Sequence, residues 1–134
     1  MTILDIRPAL RSFLIADAGI SSAVGGNRVY PLRLPQGDQG PSIVYQRISD
    51  VGDHQMEGPT GLARPRFQID AWAQTADAAS SLANLIKNRL DGHKGATGST
   101  TIQGAFFDSM REGYDPESKL FYVGQDFFIW YAER

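Results

Sequence analysis

Residues 66–90 read RFQIDAWAQTADAASSLANLIKNRL, a strand that runs without a break into a helix. Phe67, Ile69 and Ala71 alternate with Gln68, Asp70 and Trp72, the period-two pattern of a strand with one buried face. Thr75 stands where an N-cap belongs, with a hydroxyl able to satisfy an orphan N–H of the first turn. Behind it Ala79, Leu82, Leu85, Ile86 and Leu90 recur at helical spacing as one apolar stripe. Lys87 and Arg89 fall in the last turn, where positive charge complements the helix dipole, and Gly92 ends the run. A half-buried strand feeding an amphipathic helix means a sheet with a helix laid on it.

Upstream, residues 42–49 (SIVYQRIS) are rich in strand formers. Residues 50–63 (DVGDHQMEGPTGLA) hold three glycines and a proline and read as a long presentable loop. So do residues 32–41 (LRLPQGDQGP), which follow a short extended piece at 28–31 (RVYP). At the start, Ile6, Leu10, Phe13 and Leu14 predict a first helix, with Asp5 as its cap, Pro8 in its first turn and Gly19 as its stop. Residues 20–26 read as a short turn or helical half-step. Downstream, 93–99 (HKGATGS) reads as a loop, and 101–107 and 121–132 read as strands joined by a polar connection at 108–120. The expected fold is α+β: one domain over residues 1–134, mostly antiparallel β-sheet, with two α-helices packed on one face and long loops.

Composition narrows the function. The 134 residues include no cysteine, so a thiolate nucleophile, a disulfide framework and a Cys-ligated zinc are excluded. Thirteen basic against fifteen acidic residues leave a net charge of −2, which argues against a binder held by phosphate contacts. The longest nonpolar run, 127–132, is strand-sized, and Asp5, Arg7, Pro8 and Arg11 interrupt the first residues as no signal peptide allows. The chain is therefore expected to be soluble and intracellular when made, with no membrane partner.

Catalytic chemistry finds little support. Only His54 and His93 are available as bases, both in the expected loops, and no Gly-x-Ser-x-Gly elbow positions a serine. Asp50, Asp53, His54 and Glu57 place four donors within eight residues, but at no recognised metal spacing; hydrated loop charges explain them as well. The glycines at 25–26 and at 95 and 98 precede strands, the reverse of a phosphate loop. No catalytic, cofactor or metal site is expected. The aromatic set Phe106, Phe107, Phe121, Tyr122, Phe127, Phe128, Trp130 and Tyr131 must serve both faces of a sheet. One face can pack under the helices, and the other needs a partner. With few interleaved cations a protein is favoured, and a small RNA-binding domain using the aromatic face is the alternative.

Residues 28–49 (RVYPLRLPQGDQGPSIVYQRIS), the Gly-rich stretch after them, and 64–83 (RPRFQIDAWAQTADAASSLA) together resemble the tail-completion, or tail terminator, family of long-tailed bacteriophages, prophages and gene-transfer agents. The matching features are Val29-Tyr30-Pro31 after a helix, a proline-rich lead into a strand, and Ile69-Asp70-Ala71-Trp72-Ala73 ahead of a Thr75-initiated, Ala-rich helix. The resemblance implies a structural, non-enzymatic virion protein, made in the bacterial host cytoplasm. Its copies would form a ring, commonly a hexamer, at the head-proximal end of the tail tube. The ring would end tube polymerisation and join tail to head. Its partners would be other copies of the chain, the major tail tube protein and the head–tail connector, with DNA only passing through; another neck component is the alternative. Asp50, Asp53, His54, Glu57, Arg64 and Arg66 are the candidate residues for reaching a neighbour, the arginines pairing with acids such as Asp50 or Asp53 across a subunit boundary.

Overall fold

A computed structural model of the chain describes residues 6–49, 52–55, 58–63, 65–97 and 100–132. Two helices, α1 (Arg7–Ile15) and α2 (Ala18–Ala23), precede β1 (Val29–Pro31), β2 (Ser42–Ser49), β3 (Gly52–Gln55), β4 (Gly58–Ala63) and β5 (Arg66–Ala73). Then come α3 (Ala76–Leu90), β6 (Gly95–Thr97), β7 (Thr100–Asp115) and β8 (Leu120–Ala132). The eight strands form one sheet, antiparallel except where β1 joins β2, with the helices on one face. The α+β class expected from the sequence is the class observed.

β8 lies at the centre. β7 pairs along one of its edges, from Ile102↔Tyr131 to Asp115↔Leu120. Along the other, β5 pairs from Ala73↔Phe121 to Arg66↔Phe128, and β4 continues at Ala63↔Tyr131 and Leu62↔Ala132. The register does not slip between them, because the Pro65 carbonyl accepts the Ile129 N–H at 3.0 Å. β4 and β5 thus keep one register along β8. On its far side β2 runs from Ser42↔Trp72 to Arg47↔Phe67, shifts register at Ile48, and leads through Ser49↔Arg66 to Gly52↔Ala63 of β3.

The loop expected at 50–63 is therefore corrected, over its described residues 52–55 and 58–63, to a hairpin arm that extends the β2–β5 hairpin. Its glycines and proline carry no strand signature. Its described backbone groups nevertheless pair, because the inner half of the hairpin brings Gly52 opposite Ala63, and after one register shift His54 meets Pro59. The polar connection at 108–120 shrinks in the same way, since β7 continues to Asp115. The remaining turn is closed by the Asp115 carboxylate, which accepts the Glu117 and Ser118 N–H groups at 3.3 Å each. An edge strand wetted on both faces at its end shows no apolar alternation, which is why it reads as a connection. Part of the loop at 93–99 is likewise strand β6, paired to β7 at Gly95↔Ile102.

The helices number three among the described residues, not two. Asp17 accepts the Ile20 N–H at 3.0 Å and starts α2, so Gly19 sits inside that helix instead of stopping the first. Ile6 is the N-cap of α1 and makes no side-chain capping bond, with Pro8 in the first turn as expected; Asp5 lies outside the described residues.

Every second residue of β5 is buried: Phe67, Ile69, Ala71 and Ala73. With Ile43, Tyr45, Phe127, Ile129 and Tyr131 they meet Leu10, Leu14, Ile20, Leu82, Ile86 and Leu90 from the helices. Each large side chain buried here contributes about 1.5–3 kcal/mol, well above the roughly 0–1 kcal/mol of a surface ion pair. Hydrophobic burial on this one face decides the fold. Thr75 caps α3 as expected, its hydroxyl accepting the Ala78 N–H at 3.1 Å. Replacing Thr75 by Ala should lower unfolding free energy by about 1 kcal/mol, and replacing it by Ser should cost much less; urea titration of the three proteins measures both.

Candidate functional site

The second face of the sheet, away from the helices, carries the polar side chains that the fold does not need for its core. At its centre the run LFYVGQDFFIWYA of β8 places one carboxylate, Asp126, among apolar residues. Its side chain is almost fully buried, and two arginines from the flanking strands share it. Arg66 of β5 donates to Oδ2 through Nε at 3.1 Å and Nη2 at 2.7 Å, and Arg111 of β7 reaches Oδ1 at 3.3 and 3.4 Å. Asp108 adds a second carboxylate to Arg66 at 3.3 Å, and the Arg66 guanidinium lies 5.6 Å from the centre of the Phe128 ring. The hydrogen bond to Asp126 raises the pKa of Arg66 further. These contacts pin β5, β8 and β7 together.

Arg66, expected to reach a neighbour, thus has its charge taken up inside its own chain. Asp53 and His54 lie on β3 of the hairpin arm. Asp50, Glu57 and Arg64 lie outside the described residues. The Asp126 cluster itself escaped sequence reasoning. The signal for it was a lone carboxylate inside an apolar strand, a position that requires cationic partners.

Beside the cluster Asp70 is half-buried against Gly124, where a Cβ would approach its Oδ1 to 2.7 Å. Burial raises its pKa, and the bonds from Gln68 and the charge of Arg111 oppose that rise only in part. Asp38 behaves oppositely. Burial pushes its pKa up, but the Ser42 hydroxyl, the Gly40 N–H and the Tyr30 hydroxyl all donate to it and hold it below the usual carboxylate range. Both acids line a groove of about 870 Å³ between the segment at 32–39, Val44 and Trp72 of the open face, and the β7–β8 turn.

The aromatic set divides between the faces as expected. Phe127 and Tyr131 are buried under the helices, with Phe107 edge-on to Phe127 at 5.8 Å. Phe106 is exposed, and on the open face Trp72 packs on Tyr122 at 5.0 Å. The open-face arginines are neutralised by Asp126 and Asp108, so this face offers little to a phosphate backbone. His93 stacks on Phe13 at 4.2 Å, and burial, then the charge of Arg89, lowers its pKa. Among the described residues no three His, Cys, Asp or Glu side chains gather to hold a metal.

The chemistry on this surface is that of contact, and the comparisons agree. The family model described as Tail completion protein gp17 matches residues 8–132. The chain belongs to the tail completion protein family. As a member it is a structural protein of a phage-type tail, in a family of virion proteins rather than enzymes. Among solved structures, a chain from the virion of a native gene transfer agent particle superposes with a TM-score of 0.76. That pair shares 17% identity and covers 95% of this chain and 93% of the other, a likeness of fold. No curated protein sequence matches the chain.

Two outcomes follow from the charge cluster. Asp126→Ala should destabilise the protein by about 2 kcal/mol, while Arg66→Ala, removing a half-exposed partner, should cost clearly less. Asp70 takes up its proton more readily folded than unfolded, so it lowers stability as pH rises above the ordinary carboxylate range. Asp70→Asn should therefore raise the melting temperature at pH 7, and the gain should vanish below about pH 4, where the native residue is protonated in both states.

Proposed function

We propose that copies of this tail completion protein close into a ring on the head-proximal end of the tail tube, ending tube polymerisation and offering the other side of the ring to the head connector. The observation that carries this reading is the family match over residues 8–132, nearly the whole chain. Support comes also from the structural neighbour, a chain of a gene transfer agent virion, and from the distribution of chemistry on the surface. Arg66 and Arg111 on the open face are spent on holding strands together through Asp126, and the described part of the hairpin arm extends beyond its last pair with β8, where a neighbour can meet it. A ring needs a head-to-tail contact whose rotation closes, and an arm on one side of a subunit suits such a contact. A hexamer is the ring size the family resemblance implies.

The neighbouring reading is another neck component that binds the connector alone. The two differ in what they touch. Purified protein should bind the ends of tubes assembled from the major tail protein and stop their growth in a light-scattering assay. Particles made without it should carry overlong or headless tails. Binding to the connector but not to tube ends would favour the alternative. Normal, joined tails in its absence would refute both.

A further inference from the structure

The two sides of the sheet are treated differently, and the difference is informative. The edge at β1 is closed: the strand has three residues, Pro31 lacks an N–H, and Arg11 Nε donates to the Val29 carbonyl at 3.0 Å. The first part of the β7 edge is also closed. β6 covers residues 100–102, the Ala105 carbonyl and N–H bond to Gly92 and His93, and the Phe107 N–H donates to the Asp91 carboxylate at 2.9 Å. From residue 109 to Asp115 no described strand pairs the outer edge of β7. On the opposite side β1 stops at its pair with Tyr45, and no described strand lies outside the rest of β2 or outside β3.

Of the five large hydrophobic side chains exposed among the described residues, three flank these two edges. Met110 and Tyr114 on β7 are 52 and 49% exposed, and Ile48, at the register shift of β2, is 46% exposed. Direction completes the match. β2–β3, β4–β5, β8 and β7 alternate strictly antiparallel, so β7 runs opposite to β2–β3. A second copy placed with its β2–β3 edge beside β7 continues the alternation and covers apolar side chains on both partners.

We propose that the occupant of the open β7 edge is the β2–β3 edge of a second copy of this chain, in a head-to-tail contact that extends the sheet from subunit to subunit. The contact uses two different edges, so each subunit keeps one of each free for the next, as a closing ring requires. The inference rests on the proposed self-assembly and names the strands that carry it.

The absence of native cysteine makes the test direct. Ile48 and β7 of one chain are separated by β5 and β8, about 14 Å at the usual strand spacing, beyond the reach of a disulfide. Ile48→Cys protein is mixed under mild oxidation with Met110→Cys, Glu112→Cys or Tyr114→Cys protein, with and without tube ends. At least one mixture should give a disulfide dimer, and the chain carrying both cysteines should give a ladder ending at the ring. Met110→Lys, a surface change that leaves the circular dichroism spectrum intact, should raise the concentration for half-assembly by about tenfold or more. Rings that form without any of these links and ignore Met110→Lys would overturn this contact and leave the ring reading standing. A Met110→Cys protein that links to itself would replace it with a two-fold contact. Chains that stay monomeric beside tube ends would defeat both proposals, whereas linked rings that ignore tube ends would defeat only the placement on the tube.

Discussion

Backbone hydrogen bonding leaves β8 no choice of surroundings. A thirteen-residue strand through the middle of a domain must pair along both edges, because buried N–H and C=O groups have no water to turn to. β7 pairs along one edge, and β4 and β5, sharing one register, pair along the other. Once β8 is enclosed in this way, its odd-numbered side chains Phe127, Ile129 and Tyr131 define the face on which the helices pack. Its even-numbered side chains define the face that remains open, and Asp126 is among them. The two sheet margins, β1–β2–β3 and β7–β6, are then whatever lies outside these pairings.

The open face combines two demands that usually conflict. A carboxylate buried in an apolar strand is costly unless ion-paired, and Asp126 is offset by guanidiniums from both neighbouring strands. The same pairing removes free positive charge from a broad surface. A face built this way is stiff and close to neutral. That suits a structural protein of a phage-type tail, which meets other particle components by shape. The contrast between a plugged β1 edge and an uncovered end of β7 points in the same direction, because long open edges are otherwise a liability for a protein alone in solution.

Much of the core was legible from residues 66–90. Period-two alternation, a threonine cap and a helical stripe are local signals, and each of them survives in the structure. What local signals could not reveal was pairing. The arm at β3–β4 is poor in strand formers and exists because Arg47↔Phe67 and Ser49↔Arg66 hand on their register to Gly52↔Ala63. β7 beyond Asp108 alternates polar residues with exposed Met110 and Tyr114, a pattern that resembles a loop until its partner strand is known. Asp17 likewise outweighed Gly19, since one capping bond restarts a helix at little cost. Of the residues singled out for contact with a neighbour, Arg66 is held by Asp126 and Asp108, while Asp53 and His54 belong to the arm. The resemblance to tail completion proteins was carried by order and spacing across the chain, which is why it held where single elements were misjudged.

Amide hydrogen exchange followed through assembly tests the central claim most directly, because it reports strand pairing residue by residue. In the free subunit the slowest amides should be those of β8 between Phe121 and Ile129, with residues 109–115 and β3 exchanging far faster. On association with tube ends, those two segments should slow together while β1 is unchanged. Protection that appears instead on the helices, or on neither segment, would contradict an assembly built through the margins of this sheet.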